Sequence, residues 1–545
     1  MDPETVGWYL VLASGVAASI AVLFLSAHPG DRWKRRLRRR LYLGLPWGTL
    51  VVVVLVAAFY LFVQDGLNSP GNPIEIPFRA YSYFYPLGML TSGFAHSGLS
   101  HVTGNLLSTL VFGSLAEYAW GHFPDDEAGS TSALSKPPVR IAAWIGAIVA
   151  LAVATSLFSL GPTIGFSGVV FAFVGFSLVR HPIATIVAAL STGIVTQLYY
   201  AIRTPAFSQT ARETFSQPWW AGIAIQSHAV GLLVGVTAGI ALLHRRDVRP
   251  RPEHVWIAAL AFAVDRGLWA IYLPEGSDTF RLFRALGVAA VFLLAALVAA
   301  GATATSEDLI SRIELTRREA AFGLVVASTL ALAFVAVPLN LYAVDDPNAG
   351  LGDAEAVEVG DYTVYYAEDV DNQFVPAAPV PGSVNGTGGG LESSGLIVVS
   401  ERRNIWWEEV SKRRLASEGE ATIRVGGVTW SENVRVNRTT WAVAGGNQTY
   451  HVRLGRAGTE DRRVVFRADP AETNAVIAGR NTSIVPVEDR FDVAVSRNNE
   501  TLGTVEIPGD NETARVGGIT FVREKRSLFA ERDGVRVRIA KRARP

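Results

Sequence analysis

Ten apolar runs of roughly twenty residues, the length of α-helix that crosses a ~30 Å hydrocarbon layer, occupy most of the first 343 residues of this chain. They fall near 6–27, 46–64, 99–120, 140–160, 165–180, 183–202, 219–243, 255–273, 282–303 and 320–343. In lipid, backbone N–H and C=O groups must be satisfied within the segment itself, so this pattern restricts the region to an all-α polytopic membrane bundle. Composition agrees, since 49% of the 545 residues are apolar, more than one soluble core requires. The chain has no cysteine, which removes disulfides, thiolate metal ligands and thiol redox chemistry. No metal and no cofactor are expected.

Charge placement sets the expected topology. Arg32, Lys34, Arg35, Arg36, Arg38, Arg39 and Arg40 follow the first run, so the positive-inside rule puts that loop in the cytoplasm and the N-terminus outside. The start, Met1-Asp-Pro-Glu4, lacks the basic region of a signal peptide, and the first run is expected to be retained as a span. By alternation the loops after the third, fifth, seventh and ninth runs are also inside. They carry Lys136 and Arg140, Arg180, Arg245 with Arg246, and Arg312 with Arg317 and Arg318. The 32–40 stretch suits anionic lipid headgroups; no nucleic-acid partner is expected.

After Tyr342 the text changes. Segments such as Thr422–Trp430 alternate apolar and polar residues around Gly426-Gly427, and Thr513–Phe521 is a near copy around Gly517-Gly518, which predicts hairpins in a mostly-β domain over 344–545. The copy fits two related β units or two hairpins with independently acquired Gly-Gly turns. Six Asn-x-Ser/Thr sequons, at Asn385, Asn437, Asn447, Asn481, Asn499 and Asn511, all lie here. An even number of spans places this domain outside, where such asparagines are open to glycosylation. Asn385–Gly390 reads as a flexible loop within it.

Three polar features interrupt the apolar spans, where such side chains are costly without partners or water. The third run opens with His96-Ser-Gly-Leu-Ser-His101-Val-Thr-Gly-Asn105, the fifth with Gly165-Phe-Ser167-Gly168, and the seventh holds Ser227-His228 followed by Gly231, Gly235 and Gly239. The i, i+4 spacing puts His101 and Asn105 on one helical face. All three runs pass from outside to inside, so His101, Ser167 and His228 share the outer half of the membrane. Counted from Trp219, His228 lies roughly 13 Å along its helix, and the short loop Leu160–Ile164 can start the serine helix at matching depth. A serine hydroxyl becomes a nucleophile when an imidazole accepts its proton. The Ser167 N–H at a helix N-terminus, the Asn105 amide and a His101 N–H are candidate oxyanion donors. Gly165 and Gly168 permit a tight turn, and Gly231, Gly235 and Gly239 form a small-xxx-small face for close helix packing. Read singly, each is also a structural residue: a serine that packs, a histidine that bridges helices. Asp265-Arg266, in mid-run, needs separate partners because adjacent helical residues diverge by roughly 100°.

In this order, His-x-x-x-Asn, Gly-x-Ser-Gly, then His before Gly-x-x-x-Gly on alternate spans, the chain resembles the rhomboid family of intramembrane serine proteases over about 46–243. The resemblance implies a six-helix core, cleavage of transmembrane proteins near their outer ends, Ser167 and His228 as a catalytic dyad, and His101 with Asn105 at the oxyanion. His96 and Glu117 match family positions, the latter as a structural polar residue. Phe171 stands where many members carry a Tyr that stacks on the catalytic His. The Trp-Arg pair common in the first external loop is missing from Pro77–Ser92. The expected organisation is an extra helix and basic loop (1–45), a protease core (46–245), three further spans (246–343) and the β domain (344–545), in a multi-pass protein of the cell membrane. Its oligomeric state is not legible. A rhomboid-like protein that binds membrane clients without cutting is the alternative to a peptidase. A transporter or envelope scaffold, with Asp265 and the β domain as working parts, is a third class.

Overall fold

The computed structural model describes residues 30–123, 135–203, 223–274, 279–310 and 314–344, then 354–371, 392–459 and 462–543, with a few scattered positions elsewhere. Most of the first apolar run, Trp219 and the Asn385–Gly390 loop lie outside them. The chain divides into a helical unit (1–213, 218–273 and 281–341) and a β-rich unit comprising mainly 342–545.

In the helical unit the described apolar runs become α1 (Trp47–Ala58), continued by a wide turn Phe59–Val63; α2 (Leu99–Ser108), continued by a wide turn Thr109–Gly113 and Ser114–Trp120; α3 (Pro137–Leu157); α4 (Ser167–Arg180); and α5 (Pro182–Arg203). Then come α6 (Ile225–Arg245), α7 (Pro252–Asp265), α8 (Arg284–Thr303) and α9 (Arg317–Phe334), the last followed by Ala336–Asn340. Prolines open α3, α5 and α7, where a missing N–H costs nothing. Thr316 and Glu319 close a capping box at α9. Among the described residues four helices, Pro137–Leu157, Ile225–Arg245, Arg284–Thr303 and Arg317–Asn340, are long and apolar enough to cross a membrane. Leu190, Ile194, Leu286, Leu293 and Leu324 on these and neighbouring helices point outward, as lipid contact requires. The helical unit is a multi-pass membrane bundle.

Its tightest joint is α4 against α6. A Cβ on Gly231 would stand 2.1 Å from the Gly168 carbonyl oxygen, one on Gly235 2.0 Å from that of Ala172, and one on Gly175 2.1 Å from that of Leu232. Only hydrogen fits at these crossings, so the two backbones touch directly. A second joint is polar. Glu117, fully buried, accepts N–H bonds from Gly48 (2.8 Å) and Thr49 (2.7 Å) at the start of α1 and is paired with His122 Nε2 at 2.6 Å. The carboxylate thereby satisfies orphan donors at a positive helix end. Arg40, Arg140 and Arg246 donate to carbonyls of residues 118–121 at the other end of that segment.

Two expectations change here. Asp265 does not sit in mid-helix: α7 ends there, well short of 273, and Arg266 turns back so that its Nε lies 3.1 Å from Asp265 Oδ2. The 100° argument fails because the helix does not continue through the pair. Likewise α6 starts at Ile225, so His228 is in its first turn rather than deep along a helix from Trp219.

The β-rich unit contains a four-stranded antiparallel sheet, an eight-stranded sheet and a second four-stranded sheet, with one short helix, Lys412–Glu418. Alternating residues fill its cores, with Trp406, Ile397 and Val399 in one and Phe521, Leu528 and Ile539 in another. The near-copied sequences turn differently. Gly517 and Gly518, both at positive φ, make a two-residue hairpin with Val516 opposite Ile519. Gly426 instead ends its strand opposite Ser431, and the chain reverses over 427–430. There Trp430 packs on Tyr362, whose hydroxyl holds the Gly426 carbonyl at 2.6 Å. The expected common Gly-Gly turn exists only at the second site.

Gly235→Val is expected to wedge α4 from α6 and destabilise the bundle by about 3 kcal/mol or more, at or beyond the usual overpacking range. Gly146→Val, where nothing lies within 4 Å, should change the midpoint of thermal unfolding in detergent little. In the β-rich unit, His451 is 2% exposed, stacked on Phe491 at 4.5 Å, and neither ring nitrogen has a hydrogen-bond partner. Burial, then the charges of Arg453, Arg542 and Arg467, lower its pKa from 6.5 to about 4. The unfolded chain therefore binds the extra proton first, so this contribution to stability is intact above pH 6.5 and is lost as pH falls towards 4. Hydrogen exchange around His451 in the intact protein should accelerate over that interval, and His451→Phe should flatten the dependence.

Candidate active site

Ser167 is the first residue of α4, and the loop before it fixes its position. Gly165 has φ +127°, and a Cβ there would lie 2.7 Å from the His101 ring, so both the backbone turn and the approach of His101 require glycine. The Gly165 N–H bonds to the Ser92 carbonyl at 2.8 Å, and Ala80 N–H to the Thr163 carbonyl at 3.0 Å. Phe166 is buried as an apolar anchor between these ties and the helix.

On α6, the first-turn imidazole of His228 places Nε2 2.7 Å from Ser167 Oγ. The α4–α6 glycine contact sets this distance, because Gly231 meets Gly168 one residue beyond Ser167. Phe171, one turn along α4, stacks on the His228 ring at 4.2 Å and 9°, leaving the imidazole one face and its hydrogen-bonding edge. Phe262 of α7 supports Phe171 edge-on at 5.5 Å, and Arg266 lies over Phe262 at 5.9 Å. The end of α7 thus braces the ring behind His228.

The other predicted residues surround the same point. Asn105 Nδ2 lies 3.0 Å from His96 Nε2, while His96 Nδ1 lies 3.1 Å from the Phe94 carbonyl. That carbonyl can only accept, so His96 carries its proton on Nδ1 and receives one Asn105 N–H. The second Asn105 N–H faces the Gly165 side, where a Cβ would be 3.6 Å from Nδ2. His101 is oriented by Ser97 Oγ, 3.0 Å from Nδ1, and its ring packs edge-on to His96 at 5.0 Å. With Nδ1 engaged, His101 Nε2 is turned towards Gly165. Ser92, Thr155, Ser156, Thr163 and Ser227 join Ser167 around a small polar cavity of ≈ 20 Å³, room for about one water. Among the described residues no group of three or more His, Asp or Glu side chains is arranged to hold a metal.

Four supporting residues are absent from the sequence reading. Gln64 clamps the His96 backbone from both sides at 2.8 Å. Gln226, two residues before His228, accepts from Leu160 N–H at 3.0 Å and donates to the carbonyls of Phe158 (2.9 Å) and Leu332 (2.7 Å). Asn340, 1% exposed, donates to the carbonyls of Ser159 (3.0 Å) and Leu157 (3.3 Å), and its own carbonyl receives Tyr83 N–H at 3.0 Å. Phe262 is the fourth. The three polar ones carry the signal that singled out His228, a polar side chain inside an apolar run; Phe262 carries none.

Residues 84–245 match the family model described as Rhomboid domain. The chain carries a rhomboid domain. That match contains Ser167, His228 and the His96–Asn105 segment, and it ends before α7, α8 and α9. The resemblance in sequence begins earlier, at about residue 46, so α1, whose Gly48 and Thr49 N–H groups bond to Glu117, lies outside the matched residues. No curated protein and no solved structure matches the chain.

Asn340→Ala removes the donor to two buried carbonyls and is expected to cost about 1–3 kcal/mol. Tyr83 Oη also donates to the Leu157 carbonyl, at 2.6 Å. Asn340→Ala and Tyr83→Phe should therefore be non-additive in a double-mutant cycle of unfolding free energies, by about 0.5 kcal/mol or more.

Proposed function

We propose that this protein is an intramembrane serine endopeptidase that cleaves transmembrane proteins near the outer membrane face through a Ser167–His228 dyad. The observation that carries the reading is the 2.7 Å separation of Ser167 Oγ and His228 Nε2, contributed by two helices in a rhomboid domain. His228 Nε2 accepts the hydroxyl proton as Ser167 Oγ attacks the scissile carbonyl. The resulting oxyanion takes hydrogen bonds from the Ser167 N–H at the start of α4, the free N–H of Asn105 and Nε2 of His101. Collapse breaks the C–N bond, and the proton held on His228 passes to the departing amine. A water entering through the hydroxyl-lined cavity gives its proton to His228 and attacks the acyl carbonyl, freeing the acid and restoring Ser167.

Phe171 keeps the aromatic face that orients the imidazole without the hydroxyl many relatives have there. His96, Gly165, Gly168, Gly231 and Gly235 serve by position: His96 aims Asn105, Gly165 admits His101, and the other glycines let α6 reach α4. The basic loops put the N-terminus and the β-rich unit outside in the cell membrane, with the dyad in the outer half. The six-helix core runs over 46–245, followed by three extra spans; the substrates are membrane proteins whose helices unwind near their outer ends.

Cleavage of a reporter transmembrane segment reconstituted with the protein tests this. Ser167→Ala and His228→Ala are each expected to abolish product, and a fluorophosphonate probe should label wild type but not Ser167→Ala. Asn105→Ala should lower kcat by roughly 10²–10³ with a smaller change in KM, the usual cost of one oxyanion donor. A wild-type protein that neither cuts the reporter nor takes the probe would instead be a client-binding relative.

A further inference from the structure

Asparagine is scarce in this chain, and its use differs sharply between the two parts. Residues 1–343 contain four asparagines, none in a sequon, whereas residues 344–545 contain twelve, of which six begin Asn-x-Ser/Thr. Serine and threonine make up 24 of those last 202 residues, so chance would give about one or two sequons rather than six. The excess calls for a cause, and the fold separates the five that lie among the described residues by whether the whole tripeptide is accessible.

Asn437 lies in the middle of a strand (Ser431–Val443) paired on both sides, opposite Glu420 and Arg453. Its amide donates to Glu420 Oε2 at 3.0 Å and its carbonyl oxygen accepts from Arg462 at 3.3 Å. Asn447 is exposed in a hairpin turn, but the hydroxyl residue of its sequon, Thr449, is fully buried. Asn481 is exposed while Ser483 is half-buried within paired strand (Asn481–Val487). Asn385 lies outside the described residues.

Two sites differ from Asn437, Asn447 and Asn481, and both read Asn-Glu-Thr. Asn499 has φ +65° in the two-residue turn that joins Arg497 to Glu500, and Asn499, Glu500 and Thr501 are all exposed. Asn511 has φ +61° in the loop before the strand Thr513–Val516, and Asn511, Glu512 and Thr513 are likewise exposed. In each, the acceptor amide and the hydroxyl two residues on are presented together at a turn, on backbone that asparagine tolerates well. We propose that Asn499 and Asn511 are N-glycosylation sites of the folded β-rich unit, an inference that rests on the proposed orientation with that unit outside. The attached group is an oligosaccharide joined to the side-chain nitrogen from an activated glycosyl donor, whose carrier leaves as the new C–N bond forms and whose acceptor nitrogen gives up one proton.

The test is glycopeptide mass spectrometry of the full-length protein purified from membranes of the organism that encodes it. Peptides containing Asn499 and Asn511 should carry added sugar mass, that containing Asn437 should not, and Thr501→Ala or Thr513→Ala should remove the mass at its own site while keeping the asparagine. Unmodified Asn499 and Asn511 overturn the proposal, as does equal occupancy at Asn437. Because the chain has no cysteine, Ala457→Cys, at an exposed position of the β-rich unit, probed in intact cells with a membrane-impermeant maleimide, separates the two ways of failing. A labelled cysteine with bare asparagines shows that the sites are wrong; a protected cysteine shows that the orientation is wrong.

Discussion

A hydroxyl and an imidazole on separate membrane helices meet only if the helices approach more closely than ordinary side chains allow. The candidate site in the helical unit depends on that steric condition at α4 and α6. Gly175, Gly231 and Gly235 leave carbonyl oxygens of each helix near 2 Å from where the other's Cβ atoms would be. Lipid supplies no hydrophobic force to press helices together, so this intimacy depends on van der Waals contact between backbones. Ser167 and His228 sit at the beginning of the same two helices, and a displacement of about 1 Å at the glycine seam would open their 2.7 Å hydrogen bond.

The second constraint is that a polar group in this setting must be satisfied or held by water. Glu117 is bonded to two helix N–H groups and a histidine, and His96 is held through both ring nitrogens and its backbone. These groups have no spare capacity and act as fixed joints. Asn105 and His101 each retain a donor on the Gly165 side, next to Ser167, while the hydroxyls of Ser92, Thr155, Ser156 and Ser227 round the small cavity already donate to protein oxygens. The contrast between saturated and unsaturated polar groups separates framework from candidate site, and burial alone would not have done so.

Much of this was legible in the sequence, and the reasons differ from element to element. Run length located the helices because lipid fixes both span and polarity. Ser167 and His228 were legible because polar residues stand out in apolar text and because the topology placed them at one depth. Helix ends were harder. The run puts Asp265 and Arg266 in mid-span, since an apolar run does not mark where the helix within it stops, and Leu268–Tyr272 continues the run after α7 has ended. The paired Gly-Gly sequences misled for a related reason: glycine permits a turn without compelling one, and Trp430 packing on Tyr362 decided the matter at the first copy. Phe262 was invisible because an aromatic residue in an apolar helix carries no sign of what it will touch.

The boundary of the working unit also differs from the boundary of the family match. The match ends at 245, yet the loop that delivers Ser167 is completed from beyond it. Asn340 caps the carbonyls of Leu157 and Ser159, Gln226 reaches the Leu332 carbonyl, and Phe262 braces the ring on His228. Cut at 245, the chain would leave the Ser159 carbonyl and one Gln226 N–H without these partners, in surroundings where each vacancy costs of order 1–3 kcal/mol, and the Leu157 carbonyl with Tyr83 Oη alone. With net stabilities of only about 5–15 kcal/mol for a typical domain, two such losses consume a large share. The later spans are therefore part of the structure that holds the serine loop in place, and the smallest fragment able to keep that geometry extends to Asn340.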